Sequence, residues 1–199
     1  MKHLTKPIRA IHFLVLAFLM TLSSSVMAQD VQKGLAAYNA GDFATALQEW
    51  TPLAEAGNET AQYNLGTMYK NGQGVPQDYK EAVKWYRLAA EQGNAQVQYN
   101  LGILYENGEG VLQDYKEAVK WYRLAAEQGV ASAQTNLGLM YYNGTGVLQD
   151  NSVAHMWFNI GSANGNELGG SNRDILSKQM TPADISKAQA MARECMNSG

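Results

Sequence analysis

The chain has 199 residues, with 15 Lys and Arg against 18 Asp and Glu, a net charge of −3, and one Cys. A nucleic-acid-binding domain has a basic excess that this chain lacks, so nucleic acid is not an expected partner. A single Cys allows no intramolecular disulfide, and the fold must therefore depend on apolar packing.

The first 28 residues have the three zones of a secretory signal peptide. Lys2, Lys6 and Arg9 precede an apolar run at 11–22, and a Val-Met-Ala sequence ends at Ala28. Twelve apolar residues are fewer than the about 20 that a membrane span needs. We therefore expect cleavage after Ala28, no membrane span in the mature chain, and a protein that is periplasmic in a bacterium or secreted. The mature chain would hold 12 basic and 18 acidic residues, a net charge of 12 − 18 = −6.

Residues 29–57 resemble a shortened copy of the repeats that follow. Asp42, Phe43 and Trp50 lie 36 residues before Asp78, Tyr79 and Tyr86, and Gly57 lies 36 before Gly93. This spacing predicts a degenerate hairpin that caps the N-terminal end of the fold.

Three full repeats follow without gaps at 58–93, 94–129 and 130–165. The clearest sign is the string QDYKEAVKWYRLAAEQG at 77–93, which returns unchanged at 113–129. A fixed period of 36 residues is typical of a solenoid, in which each short unit buries its apolar face against its neighbours.

Each repeat contains two helical patterns joined by a Gly-x-Gly connector. The second helix has Ala82, Trp85, Tyr86, Ala89 and Ala90 on one face. The Asp before this helix is expected to cap its N-terminus, and the Gly after it suits a left-handed end. The first helix has a Gly in its middle (Gly66, Gly102 and Gly138), which costs about 1 kcal/mol relative to Ala. We expect close helix contact to compensate for that cost.

Residues 166–199 are predicted to form C-terminal capping helices. Thr181 and Pro182 mark a helix start, and Ala188, Ala192 and Cys195 follow on one apolar stripe. The stripe predicts that Cys195 is a buried thiol that packs as a small apolar residue.

The mature chain offers little for catalysis. It keeps one His, His155, and one Cys, so no multi-His zinc site can form, and no phosphate-binding or serine-nucleophile motif is present. We interpret His155 as a packing or surface residue. The sequence predicts no catalytic residues, no bound metal and no cofactor.

The repeat pattern A-x-x-x-L-G-x-x-Y, N-G-x-G-V and D-x-x-x-A-x-x-W-Y/F-x-x-A-A-x-x-G resembles the Sel1-like repeat, a relative of the tetratricopeptide repeat. This resemblance implies an all-α fold in which α/α hairpins stack into a right-handed superhelical solenoid. It also implies that the first helices line a concave face.

Some first-helix positions differ between repeats whereas the packing positions recur, and these differences mark the first helices as candidates for partner binding. On the concave face implied by the resemblance the candidate residues are Thr60, Tyr63, Thr67, Lys70, Asn71, Gln96, Tyr99, Ile103, Glu106, Asn107, Ser132, Thr135, Leu139, Tyr142 and Asn143. Tyrosine-rich surfaces suit protein recognition.

These features predict a non-catalytic adaptor of the bacterial cell envelope that binds a peptide or protein in this groove. Two alternatives stay open: the resemblance allows a β-lactam-binding or β-lactam-hydrolysing envelope protein, and the predicted export allows a secreted factor that engages host proteins. The relatives linked to β-lactams have a cysteine pair in each repeat, and these repeats have none. Homodimer formation stays open.

Overall fold

Residues 30–197 are described by a computed structural model, and the predicted signal peptide at 1–28 lies outside them. Helix α1 covers the described residues 30–39. The helices after it are α2 (Phe43–Glu55), α3 (Glu59–Asn71), α4 (Tyr79–Glu91), α5 (Ala95–Asn107), α6 (Tyr115–Glu127), α7 (Ala131–Asn143), α8 (Asn151–Ala163), α9 (Glu167–Ser177) and α10 (Pro182–Asn197). This part of the chain contains no strand, and the all-α solenoid class is confirmed.

The chain divides into two compact units at Leu65 and Gly66, within α3. In the first unit, α1 and α2 form a hairpin around Trp50, which is 1% exposed. The indole Nε1 of Trp50 donates a hydrogen bond to the carbonyl of Val31 at 3.2 Å. A Cβ at Gly34 would lie 2.3 Å from the same indole nitrogen, so this glycine lets the two helices approach. The capping role of the hairpin stays a prediction.

The second unit begins in α3 and alternates first and second helices of the repeats. Each second helix begins at a capping aspartate, as predicted. The carboxylate of Asp78 accepts hydrogen bonds from the backbone N–H groups of Lys80 and Glu81 at 2.8 and 3.2 Å, and Asp114 and Asp150 cap α6 and α8 in the same way.

The mid-helix glycines lie at close contacts between helices, which confirms that expectation. A Cβ at Gly102 would lie 2.6 Å from the ring of Tyr122, and one at Gly138 would lie 2.6 Å from the ring of Phe158. Any larger side chain would collide with the ring, so the packing accounts for the glycine. Trp85 and Trp121 of the second helices are 8% and 6% exposed.

The last two helices pack against α8. Ala188 and Ala192 of α10 are fully buried, as the apolar stripe predicts, and α10 contacts α8. Cys195 is only half-buried, so the prediction of a buried thiol is wrong. The reason is its place near the C-terminal end of α10, where it lines an open pocket with Met196. No helix within residues 30–197 is long and apolar enough to cross a bilayer.

Candidate partner-binding surface

The first helices of the second unit present a surface built mainly from the predicted positions, which we call the first-helix surface. Among those positions, the exposed residues are Asn71, Gln96, Asn107, Leu139 and Asn143. The half-buried residues are Thr67, Lys70, Tyr99, Ile103, Glu106, Ser132 and Tyr142. The predicted residues Thr60 and Tyr63 belong to the first unit. Thr60 is exposed, and Tyr63 is half-buried.

Thr135 is the exception in this set, because its side chain is buried at 3% exposure. Its hydroxyl donates to the carbonyl of Ala131 at 3.1 Å. A Cβ at Gly161 would lie 2.7 Å from this hydroxyl, so α8 packs directly over it. Thr135 therefore belongs to the helix packing and offers no contact to a partner.

The middle of the surface is polar, because tyrosines of the second helices extend their hydroxyl groups to polar residues of the first helices. The Tyr122 hydroxyl donates to the Glu106 carboxylate at 2.5 Å, and the Tyr99 ring lies 5.8 Å from the Tyr122 ring. Burial raises the pKa of Tyr122, and the hydrogen bond to Glu106 raises it further. One repeat earlier, the Tyr86 hydroxyl shares a hydrogen bond with Thr67 at 3.1 Å.

The C-terminal end of the surface is apolar and contains a small pocket of about 60 Å³. Its lining is Leu139, Tyr142, Phe158, Asn172, Ile175 and Leu176, which we call the terminal pocket. One buried water needs about 10–15 Å³ of such a volume. The pocket is several times larger than that, so it has room for the few carbon atoms at the end of one aliphatic side chain. Leu139 and Ile175 at its mouth are 37% and 56% exposed.

The comparison with family models matches the Sel1 repeat at residues 60–94, 95–130 and 131–166, which is more than half of the chain. The chain belongs to the Sel1 repeat family. Proteins of this family generally mediate protein–protein interactions, and the repeat fold is typically a non-catalytic scaffold.

Solved structures of Sel1 repeat proteins resemble this chain. A Sel1 repeat protein from Oxalobacter formigenes is 31% identical, with a TM-score of 0.71, over 82% of this chain and 70% of that one. A protective antigen of uropathogenic Escherichia coli strains with the same repeat fold is 31% identical, with a TM-score of 0.59. That match covers 78% of this chain but only 41% of the antigen.

A third structure supports the fold alone. Cysteine-rich protein B of Helicobacter pylori is 22% identical, with a TM-score of 0.51, over 65% of this chain and 93% of that one. The comparison with curated proteins found no match.

Two of the pocket residues belong to a helix that continues the register of the Sel1 repeats beyond the third match. Helix α9 begins at Glu167, 36 residues after Ala131 begins α7. Ile175 therefore takes the position of Thr67, Ile103 and Leu139, and Asn172 takes the position of Asn136 and Asn100. Sequence reasoning missed Phe158, Asn172, Ile175 and Leu176, although the spacing of 36 was a signal that could have found Asn172 and Ile175.

The histidine of the third Sel1 repeat lies inside the packing. His155 is 1% exposed, and its Nε2 lies 3.0 Å from the Ser177 hydroxyl on α9. Burial lowers the pKa of His155, and the positive charge of Arg173 lowers it further. This environment favours the neutral imidazole and joins α8 to α9.

Proposed function

We propose that this Sel1 repeat chain is a non-catalytic interaction scaffold of the bacterial cell envelope. It binds a peptide or protein segment along the first-helix surface of the second unit and takes one apolar side chain into the terminal pocket. The apolar pocket at the end of a tyrosine-lined polar surface carries this proposal. Interfaces combine buried apolar anchors with a polar rim in this manner.

The terminal pocket supports an anchoring role because its residues are apolar yet accessible. Leu139 and Ile175 are on two different helices and expose their side chains at the same opening. Asn172 contributes the one amide of the lining, which can bond a peptide backbone beside the anchor. An aliphatic side chain that enters would replace exposed apolar surface with buried contact, at about 25 cal/mol per Å².

The binding test compares variants of the pocket mouth with a matched exposed leucine elsewhere. Leu139→Asp combined with Ile175→Asp should prevent capture of envelope proteins by the tagged mature chain, measured by crosslinking and mass spectrometry. Leu168→Asp is the control, because Leu168 is 68% exposed on α9 and lies outside the pocket lining. Equal capture by the pocket variant and the control would contradict binding at this surface, provided that both variants keep the wild-type melting temperature.

The absence of catalysis is a separate part of the proposal. A chromogenic cephalosporin incubated with the mature chain should hydrolyse at the rate of buffer alone. Turnover above buffer would contradict a pure scaffold and favour a β-lactam-directed activity.

The envelope location is supported by the signal-like sequence at 1–28. Mass spectrometry of the native protein should find an N-terminus at Gln29, and fractionation should find the protein in the periplasm. An intact N-terminus in the cytoplasmic fraction would contradict this part of the proposal.

A further inference from the structure

The outer sides of the second helices form grooves that the first-helix surface does not include. On α4, Val83 and Leu88 line such a groove together with Val111 of the next connector, and Lys80, Lys84 and Arg87 surround it. The groove has a volume of about 530 Å³, and no carboxylate is among its lining residues. We call this the outer groove of α4.

The connector wall of the outer groove is held in contact with α4. Gly110 has a φ of 75°, and a Cβ there would lie 2.2 Å from the carbonyl oxygen of Tyr79. No residue with a side chain can take this place, so the glycine keeps the connector against the start of α4. The groove is therefore formed before any ligand arrives.

The residues that line the outer groove recur one repeat later. Helix α6 repeats α4 letter for letter, and its groove positions are Lys116, Val119, Lys120, Arg123, Leu124 and Val147. A Cβ at Gly146 would lie 2.4 Å from the carbonyl oxygen of Tyr115, so the second wall is held in the same way. Leu88 and Leu124, which are equivalent in the two repeats, are 41% and 37% exposed.

The third copy of this helix face is covered, and the cover is an α-helix. Ile160 of α8 takes the position of Leu88 and Leu124 but is only 3% exposed. Helix α10 packs on α8, where Ile160 and Trp157 lie beside Cys195 and Met196. The side of α10 that becomes buried contains the small residues Ala188 and Ala192. The fold therefore shows that a helix with small apolar residues fits the outer side of a second helix.

The covered copy also differs from the two open copies in charge. Ser152, Met156 and Asn159 of α8 replace the two lysines and the arginine found on α4 and α6. On α4, Lys84 pairs with Glu81 at 3.1 Å, and Lys80 makes no ion pair among residues 30–197. The Lys84 and Glu81 side chains are 59% and 38% exposed, so this ion pair contributes little to stability. The open grooves are thus cationic and apolar on a chain with a net negative charge.

We propose that the outer grooves of α4 and α6 bind an amphipathic α-helix of a partner protein. The helix has an apolar stripe of small and aliphatic residues that contacts Leu88 and Leu124, and Asp or Glu residues beside the stripe that face the lysines. The covered α8 supports a helical occupant, and the charge of the open copies supports acidic flanks.

The test uses two synthetic helices of 16 residues, the length of α10, with the same alanine and leucine stripe. One has glutamates beside the stripe and the other has lysines. Fluorescence anisotropy with the full mature chain should show saturable binding of the glutamate helix, and the lysine helix should bind at least tenfold more weakly. Higher salt should weaken the glutamate helix.

Variants locate the binding. Leu88→Asp combined with Leu124→Asp should reduce the affinity for the glutamate helix at least tenfold, and so should Lys80→Glu combined with Lys84→Glu. The pocket variant Leu139→Asp/Ile175→Asp is the matched control and should leave this affinity unchanged. All substituted residues of the outer grooves are exposed, so circular dichroism and the melting temperature should match those of the wild type.

Four results would overturn the proposal: no saturable binding, equal binding of both helices, binding that the groove variants leave unchanged, or loss of binding in the pocket variant. Sedimentation that shows dimerisation of the wild type, lost in Leu88→Asp/Leu124→Asp, would also overturn it by assigning the grooves to a second copy of the chain. The first-helix surface has its own test, capture of envelope proteins by the pocket variant, so either proposal can fail without the other.

Discussion

The second and third Sel1 repeats share one backbone arrangement, but one presents a polar site and the other presents an apolar pocket. In the second repeat, Tyr122 packs on Gly102 and its hydroxyl bonds the Glu106 carboxylate. In the third repeat, Phe158 packs on Gly138 just as closely, because a Cβ at either glycine would lie 2.6 Å from the ring, but Phe158 lines an apolar pocket. Loss of one hydroxyl, with Tyr142 in the place of Glu106, therefore changes a polar site into an apolar one. A repeat scaffold can thus vary its surface while it keeps the contact between ring and glycine.

The largest expected effect tests whether the two repeats share one core. Trp121→Ala and Trp157→Ala should each lower the free energy of unfolding by about 3–5 kcal/mol, because each opens a cavity in a buried layer. The two indoles are 6% and 7% exposed. Urea denaturation measures the loss, and Lys120→Ala is the exposed control. Near-wild-type stability of either tryptophan variant would contradict equivalent layers.

A smaller effect separates the polar repeat from its neighbour. Tyr122→Phe removes a hydrogen bond to a carboxylate and should cost about 1.5–3 kcal/mol, whereas Tyr86→Phe removes one to a neutral hydroxyl and should cost about 0.5–1.5 kcal/mol. Chemical denaturation of both variants, with Glu106→Gln added for a double-mutant cycle, measures the difference. The comparison fails if Tyr86→Phe costs more than Tyr122→Phe.

The smallest effect is a pH dependence of stability between pH 5.5 and 7.5 that arises from the histidine of the third repeat. Burial lowers the pKa of His155, so below about pH 6.5 the unfolded chain binds a proton that the folded chain does not. Stability is therefore complete above that pH and falls as the pH falls through it. His155→Val places there the residue that Val83 and Val119 provide in the other repeats. The urea midpoints at pH 7.5 and 5.5 should differ less in this variant than in the wild type. An equal difference in both proteins would show that His155 is not the source of the pH dependence.

The hairpins were predictable because the same packing residues recur in three repeats of the sequence. Asp78 as a cap and Gly102 as a contact glycine follow from local rules that act within one hairpin. The concave face implied by the resemblance to related repeats selected the positions that the structure leaves exposed on the first-helix surface. The fold and most of the candidate surface are therefore encoded at a spacing of 36.

The failures occur where the third repeat departs from the copies. Thr135 is buried because Gly161 replaces the alanines Ala89 and Ala125 and lets α8 approach. The terminal pocket depends on α9, whose sequence keeps the register but loses most of the repeat pattern. Cys195 was also predicted wrongly. An apolar stripe predicts which side of a helix faces inward, but it does not predict how far along α10 that side stays covered by other helices.

The identity of α4 and α6 has a consequence for how this protein can change length. Because both helices offer the same side chains, α4 would meet α7 through the contacts that α6 now makes with it. Removal of residues 94–129, or insertion of another copy of them, would therefore keep the same side chains wherever a second helix meets the first helix that follows it. Unequal recombination within the gene could lengthen or shorten the array in single steps that each yield a foldable product.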